Sequence, residues 1–166
     1  MIEKFTVQHY EHISTRPFGE VVASFEAALG SVEGGIFREE IENAKGPADF
    51  EKAVRSHEGS SGFMRFLTVD HGVWLKRIGL NAKAKMYTIG NPLIAATMIK
   101  FDLQAGLNVP VRLLIYEHTA TGTVRLAYDL PSSLMSRLQN KDVAAAAKKL
   151  DMKLIALAKL ATGAAP

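Results

Sequence analysis

The sequence predicts an α+β protein: a mainly antiparallel sheet of about four to five strands with helices packed on one face. Three observations carry that expectation. Several short segments are crowded with β-branched and aromatic residues, and two of them, Val111–Glu117 and Val124–Tyr128, are joined by a short Thr- and Gly-containing hairpin loop. Between the strands lie stretches with apolar residues at helical spacing, closed by Gly, Asn and Pro. The chain of 166 residues, 48% hydrophobic and 22% charged, is the size and composition of one ordinary globular domain, so residues 1–166 are read as a single unit.

The elements follow in order. Lys4 to Ser14 alternates Phe5, Val7 and His9 against Thr6, Gln8 and Tyr10, which is strand periodicity. Thr15 is suited to cap a helix with Pro17 in its first turn; Val21, Val22, Phe25, Ala28 and Leu29 supply its stripe, and Gly30 ends it. Gly34 to Glu58 reads as two helical pieces split by Gly46-Pro47, the second with Phe50, Ala53, Val54 and His57 on one side. Gly59-Ser60-Ser61-Gly62 is a turn. Phe63 to Asp70 is a strand, Val73 to Ile78 a short helix and Lys85 to Ile89 another strand. Asn91 can cap a helix that has Pro92 at its first position and runs to Gln104, where Gly106 stops it. Val111–Glu117 is the strongest strand. The last helix, Asp142 to Ala161 after an Asn140 cap, carries Val143, Ala147, Leu150, Leu154, Leu157 and Ala161 as a clean apolar stripe.

Composition removes several function classes. With no cysteine there is no disulfide framework, thiol nucleophile or thiolate metal site. The first fifteen residues contain no apolar core of a signal peptide, and no apolar run approaches the roughly 20 residues of a membrane span, so a cytoplasmic protein is expected. A net charge of +3 is a weak bias toward anionic partners. Gly62-Phe63-Met64-Arg65-Phe66 has a faint likeness to an RNA-recognition strand, without the full aromatic and basic pattern, and nucleic acid is not the expected partner. There is no phosphate-binding loop, dinucleotide fingerprint or nucleophile elbow, and nothing names a cofactor.

A few residues remain as candidates. His9 and His12 are spaced like a metal pair on a helix, but in a strand an odd offset sends the rings to opposite faces, so no metal site is expected. His71 follows a strand end beside Asp70, where an imidazole can serve as general base or simply sit at the surface. Tyr87 to Pro92 takes a strand into a helix N-terminus through Gly90. Backbone N–H groups there can bind an anion or carbonyl oxygen, unless the Asn91 side chain satisfies them itself. Arg112, Leu114 and Tyr116 share one face of the strongest strand, and Asp129 follows its partner.

The stretch Lys85 to Pro131 resembles the bacterial and archaeal family called domain of unknown function 302. The matching pieces are Gly90-Asn91-Pro92 followed by Ala95, Gly106-Leu107 with Pro110, Val111 to Glu117 ending in Tyr116-Glu117, and Asp129 before Pro131. The resemblance implies a small α+β fold that often self-associates, and no established activity. It also implies cysteines at two positions that are Gly90 and Val111 in this chain, and an Asn where Arg112 stands.

Three functions are compatible with these residues. The leading expectation is a homodimeric domain that binds a small molecule or a partner near Gly90-Asn91-Pro92, with Tyr87, Asn91, Arg112, Tyr116 and Asp129 as lining groups. The second is an enzyme on a small organic substrate with His71 as base. The third is an oligomerisation module built on the last helix, where Met152, Ile155 and Leu160 lie off the main stripe.

Overall fold

The computed structural model describes residues 2–164. Among them are six strands, β1 (His9–Ser14), β2 (Gly30–Ser31), β3 (Met64–Asp70), β4 (Ala84–Gly90), β5 (Val111–Glu117) and β6 (Val124–Asp129). There are seven α-helices: α1 (Phe18–Ala27), α2 (Ile36–Asn43), α3 (Pro47–His57), α4 (His71–Leu75), α5 (Pro92–Ile99), α6 (Pro131–Leu134) and α7 (Lys141–Thr162). The strands form one sheet in the order β1-β6-β5-β4-β3-β2. All neighbours are antiparallel except the short β2, which lies parallel to β3. The fold is therefore α+β, with one strand more than expected because α1 ends at Ala27 and Gly30-Ser31 then adds an edge strand beside β3.

Side-chain alternation gives the sheet two different faces. Tyr87, Ile89, Leu113, Ile115, Leu126 and Tyr128 are all nearly inaccessible and pack against α1, α5 and α7. Every residue of the expected α7 stripe is buried, and each of its three leucines contributes about 2 kcal/mol by leaving water. Asn140 Oδ1 accepts from the N–H groups of Asp142 and Val143 at 3.0 and 3.1 Å, and Gly163 closes the other end at φ 72°. A second, smaller core of Phe37, Val54 and Met64 joins α2 and α3 to the sheet edge. Among the described residues, no helix is long and apolar enough to cross a membrane.

Three of the boundaries that differ from the sequence expectation have a definite physical reason. The first strand pairs only from His9, because its partner β6 ends at Asp129 and the chain turns into α6; Gln8 still accepts a bond from Leu130 N–H at 2.9 Å. Pro17, not Thr15, is the N-cap of α1, and no side chain caps that helix. The helix after Pro92 stops at Ile99 rather than Gln104. Asp102 there accepts from Gln104 N–H at 2.9 Å and diverts the backbone into a 3-10 turn.

Candidate functional site

The junction between β4 and α5 is where the sequence concentrates its unusual chemistry. Tyr87 and Ile89 point into the core, so β4 delivers Gly90 and Asn91 to the rim where α5 begins. Asn91 is only 6% exposed and its side chain is fully engaged. Its Oδ1 accepts from Leu93 N–H at 2.8 Å; its Nδ2 donates to Glu58 Oε2 at 2.8 Å and to the Gly62 carbonyl at 2.9 Å. Asn91 thus caps α5 and ties it to the Gly59–Gly62 turn and to the end of α3. Both of its N–H donors are used inside the protein.

Beside this junction is an apolar cavity of about 190 Å³. Phe63 and Phe66 form one wall, Ile94 and Ala95 of α5 another, and Pro110 and Val111 a third; Leu150 of α7 reaches in from the helical layer. Asn91 is the single polar side chain of the lining. Gly90 lies against the wall so closely that a Cβ there would sit 3.1 Å from Pro110 Cβ and 3.4 Å from a Phe66 ring carbon. The two positions at which the resemblance implies cysteine, Gly90 and Val111, both line this cavity.

Two more hollows lie close by. One, about 410 Å³ and more open, shares Asn91, Ile94 and Leu150 with the cavity and is bordered by Arg55, Glu58, Lys149 and Lys153. The other, about 290 Å³, is on the uncovered face of the sheet. Arg112 and Asp129 border it over a floor that includes Met86 and Leu114. His9 stands there too, its Nδ1 2.8 Å from Asp129 Oδ1 as the cross-strand partner. His12 is on the opposite face, stacked on Tyr128 with ring centroids 5.9 Å apart, so the two histidines diverge as strand geometry requires. Burial, and secondarily the Lys159 ammonium, hold the His12 pKa below its ordinary value.

The remaining candidates fall elsewhere. The Tyr87 hydroxyl donates to Glu26 Oε1 at 2.7 Å in the core; burial first, and this carboxylate second, push its pKa far up. Glu26 also meets Arg65 at 3.5 Å and Lys85 at 3.8 Å. Tyr116 donates to Glu11 Oε1 at 2.6 Å, and Arg125 reaches Glu11 Oε2 at 2.8 Å. The Tyr116 bond is the main cause holding the Glu11 pKa down, with Arg125 assisting against the opposing effect of desolvation. Tyr116 and Arg112 are four residues apart on one strand, about 13 Å. His71 starts α4 beyond the Asp70 end of β3, where Asp70 pairs Lys85, whereas Asn91 follows the Gly90 end. Six residues of strand separate the two, about 20 Å. His71 Nδ1 already accepts from Trp74 Nε1 at 3.1 Å. The structure therefore brings Arg112 and Asp129 to one hollow and Asn91 to another. It gathers neither with Tyr87, Tyr116 or His71.

Against known proteins, the family described as domain of unknown function DUF302 matches residues 39–160. The chain belongs to this family. The DUF302 fold is also seen in a crystal structure of an uncharacterized conserved DUF302 protein from Bacillus stearothermophilus, at a TM-score of 0.65 and 16% identity. That similarity covers 92% of this chain and 97% of the other. No curated protein matches the chain. The matched segment of this DUF302 chain contains the whole junction, all three walls of the cavity, and Leu150.

Proposed function

We propose that this protein binds a small, largely apolar molecule in the cavity beside Gly90-Asn91-Pro92. The supporting observation is the hollow itself: about 190 Å³, walled by aromatic and aliphatic side chains, with its one polar side chain already satisfied. The mouth admits solvent, but a water molecule needs two or more polar partners to be held, and these walls supply few. Shape and chemistry favour an apolar occupant of roughly benzene size or somewhat larger.

Ala95 allows a direct test, because it is on the cavity wall and leucine is a good helix former. In a thermal-shift titration, 3-phenylpropan-1-ol raises the melting temperature of the native chain, as any ligand of the folded state must. Ala95→Leu, which fills the space, is insensitive to it. Equal shifts in both proteins, or none in either, count against the cavity as the site.

Self-association is a second reading. It is supported by the outward side of α7, where Met152 and Leu160 are more than half exposed. Sedimentation of a variant with Lys at both positions tests it: a fall to monomer mass supports an interface there, and an unchanged mass removes it.

A further inference from the structure

The cavity adjoins a cationic rim that an apolar occupant would leave unused. Lys149 and Lys153 are one turn apart on α7 and both border the hollow that shares Asn91, Ile94 and Leu150 with the cavity. Neither has a carboxylate within 4.0 Å among the described residues. Arg55, on the same rim, is already paired with Glu51 at 2.7 Å and Glu58 at 3.5 Å. Glu58, the one carboxylate bordering this hollow, is also held by Asn91 Nδ2. Two like charges at this helical spacing repel by a few tenths of a kcal/mol, which an anion between them would reverse.

Lys153 is the better placed of the two. Its Nζ donates to the Ser61 carbonyl at 3.3 Å and lies 5.7 Å from the centroid of the Phe63 ring, which is itself a wall of the cavity. The turn makes room for it: Gly62 has φ +76°, and a Cβ there would be 3.1 Å from Nζ. An ammonium is thus positioned beside an apolar cavity, with donors to spare.

We propose that the ligand is a small amphiphilic carboxylate, its apolar body in the cavity and its anionic head at Lys153, with Lys149 assisting. This rests on the cavity being the binding site, as argued above. The test uses the full chain and a matched pair of probes, 3-phenylpropionate and 3-phenylpropan-1-ol, with acetate as the head group alone. Affinities are measured by protein-observed NMR at low salt for the native chain, Lys153→Met, Lys149→Gln and Ala95→Leu. The carboxylate binds about tenfold tighter than the alcohol to the native chain, and added salt shrinks the difference. Lys153→Met brings the two probes to near parity while alcohol binding persists; Lys149→Gln narrows the gap less. Ala95→Leu loses both, and acetate binds far more weakly than 3-phenylpropionate. Equal affinities for the native chain, or a preference that survives Lys153→Met, overturn the carboxylate proposal and leave the cavity reading standing. Acetate binding as tightly as 3-phenylpropionate also overturns it, because the cavity then contributes nothing. If neither probe perturbs the signals of Ala95, Val109 and Val111, the cavity reading fails and the proposal falls with it.

Discussion

Replacing Asn91 separates its role as a cap from any role as a ligand group. Asn91→Ala removes an N-cap acceptor, a loss of about 1 kcal/mol. It also leaves Glu58 and the Gly62 carbonyl without their shared donor, which adds about 1–2 kcal/mol for partly buried acceptors. Asn91→Asp keeps the cap but turns the donor into a carboxylate facing Glu58 Oε2, now 2.8 Å from Nδ2. Two charges about 4 Å apart at an effective dielectric of about 20 cost about 4 kcal/mol. For a chain of this size each kcal/mol is worth about 2–4 °C, so a fall of roughly 8–16 °C near neutral pH is expected. The pH dependence has a definite sign. The introduced acid has a raised pKa in the native state, so that state holds its proton where the unfolded chain has released it. Relative stability of Asn91→Asp is therefore best below the unfolded pKa of about 3.9 and declines as pH rises through the native one. Urea unfolding from pH 4 to 8 measures this as a deficit against the native chain that grows with pH. A deficit below about 1 kcal/mol at pH 8, or one that shrinks with rising pH, would refute the assigned contacts.

Further expectations concern residues whose surroundings are equally specific. Tyr87→Phe removes the bond to Glu26 and costs about 1–2 kcal/mol in urea unfolding, reduced from the full value because Glu26 can recruit water. Because the native Tyr87 pKa is raised, its stabilisation is intact below the unfolded value of about 10 and is lost as pH climbs above it; Tyr87→Phe lessens that alkaline sensitivity. The lowered pKa of His12 has the opposite consequence: stability holds above about 6.5 and falls as pH drops below it, and His12→Gln flattens the slope between pH 7 and 5. Gly90→Ala narrows the cavity where its Cβ meets Pro110 and Phe66. It weakens binding of 3-phenylpropan-1-ol severalfold while changing stability by no more than about 1–3 kcal/mol; unchanged affinity argues that the ligand lies elsewhere.

Much of the fold was legible because its determinants are local. Asn140 before a clean stripe and Gly163 beyond it mark both ends of α7, and Asn91-Pro92 marks the start of α5. The hairpin of β5 and β6 follows from two dense strands and a short loop. Failures occurred where a distant partner decides. Whether Phe5 and Val7 join a ladder depends on where β6 ends, and the parallel docking of Gly30-Ser31 depends on β3 and on the close approach of His57. The inward-facing Asp151 has no mark in the apolar pattern of its helix; its role depends on Ser132, from whose N–H it accepts at 3.0 Å at the start of α6.

The site follows the same logic. Alternation correctly placed Arg112 and Tyr116 on one face, but face alone does not bring side chains together; position along the strand separates them by about 13 Å. His9, which shares a hollow with Arg112, meets Asp129 only because β1 and β6 are in a register that 120 residues of intervening chain determine. The cavity is still less visible from sequence, since its walls are ordinary core residues until the gap between them is seen. Its clearest sequence mark is the Gly-Asn-Pro junction, and the structure divides that mark into separate tasks. Asn91 is consumed in building the junction, and Gly90 leaves the wall uncrowded. Selectivity then passes to Phe63, Ala95 and the ammonium of Lys153, the last brought there by a turn whose Gly62 admits it. Asn91→Ala should therefore act chiefly on folding, and Gly90→Ala and Lys153→Met on ligand binding; Asn91 and Lys153 make no hydrogen bond to each other, although both hold the Ser61-Gly62 turn. Strong coupling between Asn91→Ala and Lys153→Met in 3-phenylpropionate affinity would mean the division is false, because Asn91 then either reaches the ligand or sets the turn that positions Lys153.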